Sequence, residues 1–565
     1  MTAVKRYLYW LLYPLFILAC ARQTTPTGGP KDTLPPTLIR DLSIPKQGQT
    51  NYKGKEIQLS FSETIILNNP KEQLIITPDI QKKYDIVAKK NRVTITLENE
   101  LQDSTTYAFT FRNAVQDITE KNPAKNLKLA FSTGPYIDSL SIRGKIVEPL
   151  TQKIPKEATV AVFQQDTFNI FTDKPSYLTQ TDDKGNFSLE NLKPGKYSIY
   201  AIEDKNKNLL VDSKNEAYAF NSDTINLNAN VTSAILRLQK LDARPLKLIS
   251  AKPYGTYFNI KTTKNLVSYS IKSTKQSFIA SAFGDDQSSI RVFNNLGIDD
   301  SLAINFAGTD SIDNKLDTIL YLKFSKRKSK PEQFIAKTQG FELTATKSIL
   351  KGKILFNKPL SKINTDSIYY QVDSLTTIFF TTADFSYDTL HNILSLKKTV
   401  DKNIFPKPPE KISKGNPKQT EPTQAPTKAP IYKLHINRAT FISIENDSSE
   451  RIDEPAIKPL YYEDTGIITA DIQTKETNYI VQLLDNNFKI LRSTTNTSRV
   501  IFDDLKPGDY QIRLVIDKNG DKEWTPGNFY TKTEVEPTTF YYDKKANAII
   551  RLKANFELGP LLITY

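Results

Sequence analysis

The run Leu192-Lys193-Pro194-Gly195-Lys196-Tyr197-Ser198-Ile199 returns later in the chain as Leu505-Lys506-Pro507-Gly508-Asp509-Tyr510-Gln511-Ile512. The match continues without a gap to Asp204-Lys205-Asn206 in one copy and Asp517-Lys518-Asn519 in the other. A recurrence of this kind means that one folding unit is used twice. The Pro-Gly pair predicts a tight turn, after which Tyr197, Ile199 and Ala201 point to one side and Lys196, Ser198 and Tyr200 to the other, as in a strand. Upstream, Asp183-Lys184-Gly185-Asn186-Phe187 has the residues of a hairpin turn. Each copy is therefore read as β.

The same period of two runs through the rest of the chain. Ile57, Leu59 and Phe61 alternate with polar neighbours, as do Val93, Ile95 and Leu97, and Tyr107, Phe109 and Phe111, so each set offers one apolar face to a core. Turn residues such as Asn68-Asn69-Pro70 and Thr77-Pro78-Asp79 separate the runs, the pattern of a sandwich of about 100 residues. Long amphipathic helical patterns are missing. A length of 565 residues is enough for several such units.

Three pieces carry a resemblance: Ile57-Gln58-Leu59-Ser60-Phe61-Ser62-Glu63, Leu101-Gln102-Asp103-Ser104-Thr105-Thr106-Tyr107 and Phe131-Ser132-Thr133-Gly134. With the Pro/Gly-rich segment before them, they resemble Gram-negative envelope lipoproteins that open with a bacterial Ig-like domain of the S-layer (SbsA) type. The repeated unit resembles the seven-stranded transthyretin-like or carboxypeptidase-regulatory-like β-sandwich. The expected fold is all-β, with tandem Ig-like and transthyretin-like sandwiches in an extended string. Its parts are a signal peptide (1–19), a tether (20–31), an SbsA-type Ig-like domain (32–134) and a transthyretin-like sandwich (138–241). A further β domain follows (243–330), then a diverged Ig-like domain (334–455) whose Pro/Lys-rich insertion (406–430) is expected to be an enlarged hairpin loop. A second transthyretin-like sandwich (461–553) and a C-terminal tail (554–565) complete the chain. The tail is expected to pack as a last strand or against a partner.

The N-terminus supplies the address. Lys5 and Arg6 precede an apolar run from Tyr7 to Leu18, the length of a signal-peptide core and too short to span a bilayer. It ends in Ile17-Leu18-Ala19-Cys20, and Cys20 is the only cysteine in the chain. An exported protein with one thiol has no intrachain disulfide to make, and acylation of Cys20 after cleavage accounts for the residue. Ala21 follows where aspartate would direct retention in the inner membrane, so the resemblance implies the outer membrane. No acidic cluster of the kind linked with surface display follows, and a periplasm-facing orientation is expected.

Raw material for catalysis is scarce. His391 and His435 lie far apart with no cysteine near them, and no G-x-S-x-G, H-E-x-x-H or phosphate-cradling glycine loop occurs. The expectation is a protein that is not an enzyme. One constellation stands out after each repeat strand: Asp204, Asn206, Asn208, Asp212 and Glu216 in the first copy, Asp517, Asn519, Asp521 and Glu523 in the second. Oxygens at alternate positions suit calcium, the one cofactor the sequence admits, although the glycine and glutamate positions of an EF-hand are unfilled. The same residues suit Asx-turns, in which Asn and Asp bond their own backbone. Trp524 would shelter such a turn or contact a partner.

The formal charge of +14 does not point to nucleic acid in an exported protein, and anionic envelope polymers are the expected counterpart. The expected role is an outer-membrane-anchored, non-enzymatic binding or scaffolding component. It would be held to the membrane by acylated Cys20, with outer-membrane proteins or anionic glycolipids as partners. A glycan-binding or adhesive surface protein is the other reading.

Overall fold

A computed structural model describes residues 32–565 apart from 81–82, 156, 165–167, 213–215, 243, 274–277, 327–329, 403–404, 406–429 and 455. The signal peptide, Cys20, the tether and nearly all of the Pro/Lys-rich insertion lie outside the described residues. No helix among those described is long and apolar enough to cross a membrane. The structure is almost wholly β, as tandem sandwiches with separate buried clusters.

In the first sandwich Glu56–Ser60 pairs antiparallel with Arg92–Leu97, which pairs with Tyr84–Lys89. Facing them, Thr106–Thr110 lies between Ile75–Thr77 and Lys128–Ser132. The alternating residues Ile57, Leu59, Phe61, Val93, Ile95, Phe109 and Phe111 are all fully buried in one cluster, so the period of two decides which face becomes core.

The second and fifth sandwiches share one topology. In the second, Tyr177–Gln180, Thr159–Phe163, Gly195–Ile202 and Tyr218–Phe220 form one sheet, with Ile225–Leu227 on the start of Gly195–Ile202. The opposing sheet is Asn186–Leu192, Leu140–Val147 and Val231–Arg237, the last pair parallel. The fifth repeats this order with Ile490–Thr495, Tyr479–Leu484, Gly508–Ile516, Thr538–Phe540 and Ile550–Leu552 over Arg499–Leu505, Gly466–Gln473 and Glu557–Thr564. The recurring tyrosine has the same task in both. Tyr197 Oη donates to the Lys193 carbonyl at 3.0 Å and Tyr510 Oη to the Lys506 carbonyl at 2.6 Å, which ties the strand to its own turn.

The apolar end packs as a last strand: Glu557–Thr564, the counterpart of Val231–Arg237, runs parallel to Gly466–Gln473 and puts Ile563 into the core, so the second repeat extends past its expected end at 553. A Cβ at Gly559 (φ +128°) would fall 2.3 Å from the Thr469 carbonyl oxygen, so the close parallel approach requires glycine. Two expectations need correction. The Pro/Lys-rich insertion is not a hairpin loop, because Ile393–Thr399 before it and Lys433–Ile436 after it belong to different sheets of the fourth sandwich. Finally, the sandwiches do not run out as an extended string, because the fifth folds back onto the second.

Candidate functional site: the loops of the two repeats

Each repeat strand ends in a carboxylate that turns the chain. Asp204 accepts from the Asn208 N–H (3.1 Å) and the Leu209 N–H (2.9 Å). Asp517 accepts from the Gly520 N–H (2.7 Å) and the Lys522 N–H (3.0 Å). Asn206 and Asn208 donate to the two oxygens of Asp212 at 2.9 and 2.6 Å, and the Asp212 N–H donates to Glu216, which is fully buried. In the second loop Asn519 Nδ2 donates to Asp521 at 2.9 Å and to Thr525 Oγ1 at 2.7 Å. These are the bonds of Asx-capped turns. Among the described residues no group of three or more His, Cys, Asp or Glu side chains is placed to hold a metal ion.

The counterpart of Glu216 is not Glu523, which is exposed, but Glu536. Ile202 pairs with Tyr218 and Val515 with Thr538, so Asp204 and Glu216 stand two residues beyond one pair just as Asp517 and Glu536 stand beyond the other. Glu536 is 2 % exposed and accepts from the Lys518 N–H (2.7 Å) and the Thr525 N–H (2.8 Å). Burial, with a smaller push from Asp517, holds its carboxyl above the ordinary range against these hydrogen bonds. Trp524 Nε1 donates to the Glu536 carbonyl at 3.2 Å, so the indole closes over the turn. The longer second loop hid this match, because spacing alone pairs Glu523 with its near neighbours.

Both loops then reach a neighbouring sandwich. Lys207 pairs with Glu72 of the first sandwich, and Asp204, Lys207 and Leu209 line a cavity of about 210 Å³ with Asp79, Tyr84 and Arg112. Arg112 donates from Nε to the Gln73 carbonyl at 2.8 Å and also contacts Gln180. Its guanidinium is shifted below its ordinary value, chiefly by burial.

The second loop makes the larger contact. Phe529 enters an apolar cluster of the second sandwich with Phe163, Tyr200, Tyr218 and Phe220, its ring 5.4 Å from that of Phe220. Tyr530 stacks on Phe171 at 5.2 Å, and Lys532 Nζ sits 3.8 Å over the Phe529 ring. Gly527 exchanges two hydrogen bonds with the Gln239 side chain, 2.7 and 2.9 Å, and a Cβ there would lie 2.6 Å from Gln239 Nε2. Ser222 donates twice to Glu534, and Asn528 Nδ2 reaches the Ile312 carbonyl of the third sandwich at 2.6 Å. The second sandwich reciprocates: Arg513, 4 % exposed and bidentate on Gln482 Oε1, donates to the Leu150 carbonyl at 2.7 Å, while Thr538 donates to the Pro149 carbonyl. Burial without a carboxylate partner lowers the Arg513 pKa to about 10. Each repeat thus lends a loop to the other.

Residues 32–133 match the model of the bacterial Ig-like domain family. The first sandwich is thus similar to a bacterial Ig-like domain. No curated protein matches the chain. Among solved structures, it is similar to the Bacillus anthracis TIE protein (10 % identity, 95 % of this chain and 76 % of that one, TM-score 0.12). It is also similar to BcpA, the major pilin subunit of Bacillus cereus (11 %, 75 % and 99 %, TM-score 0.13), and to the S-layer protein SbsC (10 %, 86 % and 66 %, TM-score 0.14).

Proposed function

We propose that this chain is an outer-membrane lipoprotein, anchored by an acylated Cys20 and facing the periplasm, that braces other envelope components without catalysing a reaction. The observation that carries the reading is the reciprocal clasp between the two repeated sandwiches, which makes a stiff body out of units that a simple spacer would leave jointed. Loops that elsewhere would present ligands are spent here on contacts between sandwiches. The partners in this reading are outer-membrane proteins or anionic glycolipids, met through the basic exterior of a chain carrying +14.

Crosslinking in intact cells followed by mass spectrometry tests the role. Reproducible recovery of an outer-membrane protein supports the brace; recovery of polysaccharide alone replaces it with a glycan binder. Anchoring is tested separately: Cys20→Ser should leave the precursor uncleaved at this site and abolish incorporation of labelled acyl chains, and labelling retained by that variant would end the lipoprotein reading.

A further inference from the structure

Lys358 lies in the fourth sandwich with a side chain only 2 % exposed, its Nζ 2.7 Å from Glu445 Oε2 and 2.8 Å from Asp447 Oδ2. It stands just before Leu360–Ile363, which pairs antiparallel with Phe441–Ser443, and both acids sit in the turn that follows that partner strand. The turn is held on its own account: the Ser443 N–H donates to the Asp447 carbonyl at 2.9 Å, and Ser443 Oγ donates to Asp447 Oδ1. Phe356 and Phe441, 4.9 Å apart edge to face, belong to the apolar core beside it, with Phe334 stacked on Phe356.

A second buried lysine supplies the contrast. Lys264 meets Asp310 with both side chains buried, yet the remaining Asp310 bonds go to the Ile312 N–H, the Asn314 N–H and the Asn314 side chain. That is a structural ion pair whose acid is satisfied by neutral donors, and among the described residues Asp310 is the one acid within ion-pair distance of Lys264. At Lys358 one amine faces two carboxyl groups, so one can move protons while the other reacts.

We propose that Lys358 and Asp447 become joined by an intramolecular amide, with Glu445 as the proton carrier. Glu445 takes a proton from the Lys358 ammonium, and the freed amine attacks Asp447 Cγ, forming the C–N bond. Glu445 returns its proton to a departing Asp447 oxygen, the C–O bond breaks, and the oxygen leaves as water with two of the amine's original hydrogens. Ammonium and carboxylate are converted to amide and water; nothing is oxidised or reduced, and Glu445 ends as it began. The link closes a segment of 89 residues in a chain whose single cysteine excludes an intrachain disulfide, and so restrains the unfolded state as a disulfide would.

Denaturation of the purified full-length protein, tryptic digestion and tandem mass spectrometry test this directly. The wild type should yield a branched species joining the peptides that carry Lys358 and Asp447, lighter than their sum by one water. The species should be absent from Lys358→Arg and from Glu445→Gln, and the Lys264 and Asp310 peptides should be recovered unlinked. Recovery of the wild-type Lys358 and Asp447 peptides only at their full, separate masses overturns the proposal. A link retained in full by Glu445→Gln overturns the assignment of Glu445.

Discussion

Asp117 shows what one buried carboxylate does in the first sandwich. Its Oδ1 accepts from the Glu120 N–H (2.7 Å), the Lys121 N–H (2.9 Å) and Thr119 Oγ1 (3.1 Å), and its Oδ2 accepts from the Asn122 N–H (3.1 Å). Burial pushes the carboxyl pKa up, but the hydrogen bonds from Glu120, Asn122 and Thr119 outweigh it and leave the group below its ordinary value. A folded-state pKa below the unfolded one gives stabilisation that is complete above the unfolded value and lost as the pH falls through the folded one. The first sandwich should therefore lose stability below about pH 4, and Asp117→Asn should flatten that dependence in urea titrations. The recurring tyrosines give a second test at this scale. Tyr197→Phe or Tyr510→Phe keeps the ring and removes one hydrogen bond, so each should cost about 1 kcal/mol in denaturant unfolding. A cost near zero would mean that the tie between strand and turn is ornamental.

Strands were the most legible elements, because the period of two in Ile57 to Phe61 or Tyr107 to Phe111 is a local property that survives into the core. Gly508–Ile516 was harder: Gln511 and Arg513 alternate with Tyr510, Ile512 and Leu514 and read as a solvent-facing stripe, yet the strand is buried on both faces from Tyr510 to Ile516 because the second sandwich covers Arg513. The closing strand Glu557–Thr564 was one of the two readings of the apolar end, whereas the partner of Asp517 was hidden by the length of its loop. Asp204 and Asp517 are committed to backbone N–H groups, so the turns hold without an ion. Millimolar calcium should leave the melting temperature of the full chain unchanged, whereas Asp517→Ala should cost about 1–3 kcal/mol by leaving loop N–H groups unpaired. A calcium-dependent rise that Asp517→Ala removes would restore the calcium reading.

At the scale of the whole molecule, contacts between sandwiches decide the shape, and these were the least legible part of the sequence. Ser222 and Glu534 stand 312 residues apart, and no local pattern links them. One signal was available: Phe529-Tyr530 is an aromatic pair inside a mainly polar loop, and apolar surface in a loop needs a cover. Similar joints continue along the chain, with Lys347 on Asp503 and Asp504 between the fourth and fifth sandwiches and Arg291 on Glu332 after the third. The fifth sandwich is thereby tied to the second, third and fourth, and the clasp at Phe529 is the joint that closes the chain on itself. Amide hydrogen exchange on the full-length wild type and on Phe529→Ala tests this most directly, because exchange reports local opening segment by segment. The account predicts faster exchange in the variant across Thr159–Phe163, Gly195–Ile202 and Tyr218–Phe220 of the second sandwich, far away in sequence. Faster exchange confined to the loop that carries Phe529, with those three strands unchanged, would contradict it.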